Sequence, residues 1–110
     1  MDITALEGMD LVSLVWSSNR FQLRAIDSGG RLWEATLTNP NQAPVGVTVR
    51  SLSLRLIYDS ELGAPTLGEL ETITVQGSEI LFEADAGDFS VRAERVFVQE
   101  IKGADRGSAA

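Results

Sequence analysis

A strict alternation of apolar and polar residues is the feature that most constrains how this chain can fold. In residues 21–25 (Phe-Gln-Leu-Arg-Ala) and again in residues 33–37 (Trp-Glu-Ala-Thr-Leu), every second side chain is apolar. Successive side chains of a strand point to opposite faces of its sheet, so this period is typical of strands with one buried face. The sequence therefore predicts an all-β fold built from antiparallel strands.

The residues between these two segments fix how the strands pair. Directly opposed residues of a hairpin have a constant index sum, so two inner sets with odd numbers require an odd loop. Residues 28–30 (Ser-Gly-Gly) satisfy this as a three-residue loop with a glycine in the left-handed position. The predicted register sets Phe21 opposite Leu37 inside the fold and Arg24 opposite Glu34 outside.

A second set of strands follows the same logic. Residues 72–76 and 79–84 carry inner sets of opposite parity, which requires an even loop, and residues 77–78 (Gly-Ser) suit a type II′ turn. Residues 85–88 are then predicted to be a four-residue loop that leads into a third strand. With a further hairpin across residues 18–19 (Ser-Asn), these patterns predict two three-stranded meanders.

Two longer segments change phase partway along. In residues 47–58 the apolar set shifts parity near Arg50, which predicts a bulge. In residues 89–101 the apolar set also changes after Arg95, and the phase of residues 94–101 stays open. A strand that changes phase allows a small β domain to pass from one sheet to another. The predicted fold is a small antiparallel barrel or sandwich of about seven strands, in which two meanders are joined by a long bent strand, with at most short helical turns. Residues 1–102 form this single β domain, and residues 103–110 are predicted to be a disordered tail.

Composition excludes several function classes. The 110 residues include no His and no Cys. The commonest general base, the commonest metal ligand and every thiolate are therefore missing. We expect no enzymatic activity, no cofactor and no metal site.

The formal net charge of −7 is unevenly distributed. Residues 1–55 hold five acidic and five basic side chains, whereas residues 56–110 hold eleven acidic and four basic ones. An acidic surface repels phosphate backbones, so nucleic acid is not an expected partner.

The longest apolar run, residues 11–16, is far shorter than the about 20 residues that span a bilayer, so no membrane association is expected. Residues 1–10 carry no basic residue of the kind that begins a secretory signal, which predicts a cytoplasmic protein.

Apolar residues on the predicted outer faces indicate a contact surface. Ile26 and Leu32 pair outside near the tip of the first hairpin, and Leu81 lies outside between two glutamates. Several exposed apolar residues on one surface are typical of an interface. The main hypothesis is therefore a non-enzymatic small β domain that acts through protein contact, as a homo-oligomer or an accessory subunit of a complex. Its interface candidates are Ile26, Leu32 and Leu81.

The alternative hypothesis is a small-ligand-binding β-barrel. Its cavity would be lined by Trp16, Phe21, Trp33 and Tyr58 and gated by the loop of residues 59–71, because ligand pockets are mostly apolar with a few placed polar groups. The same four aromatic residues suit a filled core equally well.

Three arginines form the remaining candidate site. Arg20 and Arg24 point outward from one predicted strand, and Arg31 follows near the tip of the same hairpin. Guanidinium groups recognise oxyanions, so these three residues are candidate contacts for an anion. A charged outer face that pairs with Glu34 explains the same residues without a ligand.

Overall fold

The computed structural model describes residues 2–101, most of which lie in strands. The strands are β1 (Asp10–Ser17), β2 (Arg20–Ile26), β3 (Leu32–Thr38), β4 (Gly46–Leu52), β5 (Ile57–Asp59), β6 (Ala64–Thr66), β7 (Leu70–Gln76), β8 (Glu79–Ala84), β9 (Gly87–Arg92) and β10 (Arg95–Ile101). Two short 3₁₀ helices, Ile3–Leu6 and Pro40–Gln42, precede β1 and β4. The predicted tail at residues 103–110 lies outside the described residues.

All the strand pairs are antiparallel. The first sheet has the order β1-β2-β3-β10, the second has the order β4-β9-β8-β7, and β5 and β6 form a separate two-stranded ribbon. The prediction of an all-β fold with two meanders and short helical turns is thereby confirmed. Within residues 2–101 no sheet closes into a barrel, and the two four-stranded sheets pack against each other instead.

The hairpin registers agree with those that the alternation predicts. Phe21 lies opposite Leu37, and Arg24 lies opposite Glu34, across a loop in which a glycine has a φ of +82°. In the second meander β7 turns into β8 at residues 77–78, where Gly77 has the positive φ of +62° that a type II′ turn needs. These turns follow the sequence because burying one face of each strand leaves a single parity for each loop.

The predicted four-residue loop at residues 85–88 is wrong. Ala84 lies opposite Gly87, so the loop contains only Asp85 and Ala86. Parity allowed both registers, and tertiary packing selects the shorter loop. Ala86 is buried in the core, and β4 runs so close to Gly87 that a side chain there would overlap the carbonyl of Ser51.

Bulges interrupt three of the four strands that lie at the edges of the two four-stranded sheets. The register shifts at Val12 in β1, at Arg50 in β4 and at Glu71 in β7. The bulge at Arg50 confirms the prediction. The bulge at Val12 was not predicted, and it buries Leu11 in place of Val12, because the extra residue reverses the parity of the strand.

Both long segments are divided by the structure. The chain leaves the second sheet after Leu52 and enters the ribbon at Ile57, so residues 47–58 form β4, an irregular connection and the first strand of the ribbon. Residues 89–101 cross from the second sheet to the first between β9 and β10. The open phase of β10 is now fixed, because Val98 is buried and Phe97 is exposed.

The centre of the core is a cluster of three phenylalanines. Phe21 of the first sheet contacts Phe82 and Phe89 of the second, with ring centroids 6.3 Å and 6.0 Å apart, and those two rings stack at 4.8 Å. Aromatic pairs at these separations contribute beyond the area that they bury. The inner faces of the two sheets therefore meet at Phe21.

One side of the sandwich is joined by backbone hydrogen bonds. The chain between β6 and β7 runs antiparallel to the start of β1. The N–H of Leu67 donates to the carbonyl of Leu11 at 2.8 Å, and the N–H of Leu70 donates to the carbonyl of Met9 at 2.8 Å. Residues 59–71 thus form the turn of the ribbon, β6 and the start of β7 rather than one loop.

Replacing Gly87 with alanine should destabilise the fold far more than the same change at Gly77. Both residues have positive φ, where alanine is strained, but only at Gly87 would the new Cβ overlap a backbone carbonyl, since nothing lies within 4 Å at Gly77. We expect urea unfolding to show a loss of roughly 1 kcal/mol for Gly77→Ala and of more than about 3 kcal/mol for Gly87→Ala. Equal losses would contradict the close approach of β4.

Candidate functional site

Arg24, one of the three candidate anion contacts, forms an ion pair on the outer face of the first sheet. Arg24 Nε lies 2.9 Å from Glu34 Oε2, and Gln99 Nε2 donates to the other oxygen at 3.4 Å. Glu34 is buried under these neighbours although it lies on the outer face. Arg24 is therefore committed to a structural pair.

Arg31, a second candidate anion contact, also forms an ion pair. Arg31 Nε lies 3.4 Å from Asp27 Oδ2 at the tip of the first hairpin. The other oxygen of Asp27 accepts the backbone N–H groups of Gly29 and Arg31, both at 2.9 Å. Burial by itself raises the pKa of Asp27, but the hydrogen bonds that Asp27 accepts, together with the charge of Arg31, outweigh burial and lower the pKa. The same bonds hold the hairpin tip in shape. Arg20 differs from both, because it makes no ion pair within residues 2–101.

The four aromatic residues of the ligand-binding hypothesis lie in different surroundings. Trp16 stacks on Phe21 with 5.9 Å between ring centroids. The Trp33 indole instead donates to Asp27 at 3.1 Å, and Tyr58 is exposed on the ribbon. The structure brings Trp16 and Phe21 together, and the ligand-binding hypothesis stays a prediction.

The three interface candidates are half-buried and lie on two different surfaces. Ile26 lies opposite Leu32 on the outer face of the first sheet. Leu81 lies at the middle of the outer face of the second sheet, between Thr74 and Ser90. They do not form one patch.

A more exposed apolar surface lies in residues 54–58, which we call the apolar segment. Four of its five residues are exposed apolar side chains, with Leu56 at 71% and Tyr58 at 67%. The segment leads into β5, and β5 pairs only with β6 among the described residues. Sequence reasoning missed this surface because it assigned residues 47–58 to one strand with a buried face. A signal was present, since residues 35–58 contain two arginines and no acidic residue in a chain of net charge −7.

Next to the apolar segment lies a concentration of carboxylates, which we call the acidic junction. It comprises Asp10, Asp59, Glu61, Glu69 and Asp85, which line a cavity of about 370 Å³. Antiparallel pairing of β1 with the chain before β7 brings Asp10 and Glu69 together. No group of three or more such side chains within residues 2–101 is arranged to hold a metal ion.

Asp10 and Asp59 form a hydrogen-bonded pair of carboxyl groups in the acidic junction. Burial, together with the hydrogen bond and charge of Asp59, raises the pKa of Asp10 to about 6, while Thr66 donates to Asp10 at 3.4 Å and opposes that shift. The pKa of Asp59 is lowered, chiefly by its bond from Asp10 and by the backbone N–H of Leu62. The two carboxyl groups thus share one proton in acid and repel each other after it leaves.

Asp10→Asn should stabilise the protein at neutral pH and have little effect in acid. Because the pKa of Asp10 is higher in the folded state, its contribution to stability is present below about pH 4 and is lost as the pH rises through about 6. The asparagine amide donates to Asp59 at every pH. We expect a gain of roughly 1 kcal/mol at about pH 7.5, reduced by solvent screening from the full shift, and almost none at about pH 3.5, where Asp10 is mostly protonated in both the folded and the unfolded chain.

The measurement is urea unfolding at both pH values. Glu94→Gln is the matched control, because it removes one negative charge from an exposed position outside the junction. An equal gain in both variants would assign the effect to net charge instead of to the Asp10–Asp59 pair.

Comparisons with known proteins do not indicate a function for this chain. The chain matches no family model, no curated protein and no solved structure. In the part of the chain that the structure describes, no helix is long and apolar enough to cross a membrane.

Proposed function

We propose that this protein is a non-enzymatic β domain that acts through protein contact, and that its contact surface is the apolar segment. The observation that carries the proposal is the continuous exposure of Leu54, Leu56, Ile57 and Tyr58. Single exposed apolar residues are normal on a protein surface, but four among five consecutive residues indicate a surface that is covered in the working assembly. Covering it is favourable by roughly 25 cal/mol for each Å² of apolar area removed from water.

The occupant that fits this surface best is a second copy of the chain. Charged residues of opposite sign lie at the two ends of the apolar segment. Arg50 precedes the segment and Arg55 lies near its start, whereas Asp59 and Glu61 follow it. A partner with one sign of charge would be attracted at one end and repelled at the other. A second copy related by a two-fold axis presents the same charges in reverse order, which is the self-complementarity that an isologous interface needs.

The free edge of β5 supplies the geometry for this contact. An unpaired strand edge presents backbone N–H and carbonyl groups that can pair with another strand. Antiparallel pairing of two β5 strands about an axis at Ile57 gives a constant index sum of 114. Arg55 then faces Asp59 of the partner subunit, and Glu61 of the partner subunit lies two residues further along, diagonally across from Arg55.

A charge-exchange experiment tests this contact. Arg55→Glu and Glu61→Arg should each weaken self-association in sedimentation velocity, because each variant places like charges across the axis. An equimolar mixture of the two variants should recover the dimer, since Arg55→Glu in one copy lies diagonally across the axis from Glu61→Arg in the other and opposite charges are restored between them. Neither side chain makes an ion pair within residues 2–101, so both variants should keep the fold.

The apolar contribution is tested by Leu56→Asp. This change should abolish self-association, whereas Val15→Asp, at a position 60% exposed on the edge strand β1, should leave it intact. A wild-type chain that stays monomeric at high micromolar concentration would overturn the proposal, as would equal losses in the two aspartate variants.

A further inference from the structure

A cavity without acidic residues lies at one end of the first sheet, in a protein whose net charge is −7. Its volume is about 510 Å³, and its eight lining residues are two arginines, four side-chain amides and two hydroxyls. Every lining side chain carries a hydrogen-bond donor, although Ser17 and Asn39 already donate to Asn19 and to the carbonyl of Pro44, and the only charged lining side chains are cationic. This composition is unlike that of the acidic junction, which has no arginine in its lining.

Strand pairing explains how the two arginines come together. Arg95 of β10 lies opposite Thr38 of β3, and continuation of the Phe21–Leu37 register places Arg20 of β2 on the other side of Thr38. All three side chains are on the outer face, because Phe21 and Leu37 point into the core. Arg20 and Arg95 are therefore separated by two strand spacings, or roughly 10 Å between their backbones.

The two arginines have no acidic partner in the described part of the chain. The ion pairs there involve Arg24, Arg31 and Arg92, and neither Arg20 nor Arg95 makes one. Both residues are exposed, and their long side chains can reach an anion placed between them.

Neutral donors complete the cavity. The hydroxyl of Ser17 donates to Asn19 Oδ1 at 3.1 Å, which leaves the amide hydrogens of Asn19 available for a ligand. The short helix Pro40–Gln42 brings two further amides to the same cavity. This turn is anchored beside Arg95, since Asn39 Oδ1 accepts the backbone N–H of Glu94 at 2.7 Å.

We propose that this cavity binds a small phosphate-type oxyanion, which lies between Arg20 and Arg95 and accepts hydrogen bonds from the neighbouring amides. Arginine forms two parallel hydrogen bonds with phosphate oxygens, and bonds between charged groups are about twice as strong as neutral ones. At about 0.1 M salt, charges further than roughly 10 Å away are largely screened, so most of the acidic residues of the protein do not oppose binding. Glu94 adjoins Arg95 in the chain, but its exposed side chain does not line the cavity. The site does not depend on the proposed self-association, because it uses a different end of the molecule and different residues.

Titration with inorganic pyrophosphate tests the proposal. Pyrophosphate has two phosphoryl groups and can contact both arginines, so it should bind more tightly than orthophosphate. Backbone amide NMR shifts should change at residues 17–20, 38–39, 41–42 and 95, and Arg20→Gln and Arg95→Gln should each weaken binding at least tenfold. Arg31→Gln is the matched control, because it makes the same change in net charge at an arginine that Asp27 already neutralises.

The affinities of the wild-type chain and the variants for pyrophosphate support or overturn the proposed site. Unchanged affinity in Arg31→Gln together with losses in the other two variants supports the site. Equal losses in all three variants would reduce the effect to general electrostatics, and absence of pyrophosphate binding to the wild-type chain at low salt would overturn the proposal. Asn19→Ala, which leaves both arginines in place, should weaken binding by a smaller factor, and shifts that map to another surface would contradict the proposal.

Discussion

The contact of Phe21 with Phe82 and Phe89 is the interaction on which the rest of the structure depends. Each four-stranded sheet has one apolar face, and neither sheet can leave that face in water. Phe21 is fully buried at the point where the two faces meet, and the rings around it fix how the sheets lie on each other. The bulges in β1, β4 and β7 adjust the edge strands to this arrangement, because each one changes which residues point toward the core.

Packing the two sheets together leaves their edges and connections to be covered in other ways. On one side, the chain between β6 and β7 pairs with the start of β1 and satisfies its backbone groups. The ribbon formed by β5 and β6 has no such cover on the free edge of β5 within residues 2–101. The apolar segment lies along this connection, which is why apolar residues that the alternation assigns to a core are exposed. A second copy of the chain would cover them.

The distribution of charge in space differs from its distribution along the chain. By halves, the acidic excess belongs entirely to residues 56–110. In the folded protein the acidic junction also includes Asp10, while Arg95 from the acidic half joins Arg20 from the neutral half. Strand pairing causes both exchanges, since β1 meets the chain before β7, and β10 joins the first sheet after leaving the second. An acidic surface and a cationic cavity therefore coexist on one small domain.

The alternation by itself determined the all-β class, the two meanders, the pairing of Arg24 with Glu34 and the bulge at Arg50, because these features depend on neighbours within one hairpin or one strand. It could not determine the loop at Asp85 and Ala86, where two registers share the same parity and contact with β4 selects one of them. The alternation also could not determine the grouping of Arg20 with Arg95 or of Asp10 with Asp59. Residues separated by about half the chain or more come together only through long-range pairing. β10 pairs with β3 in the first sheet, and the chain before β7 pairs with the start of β1, when the two apolar faces pack around Phe21.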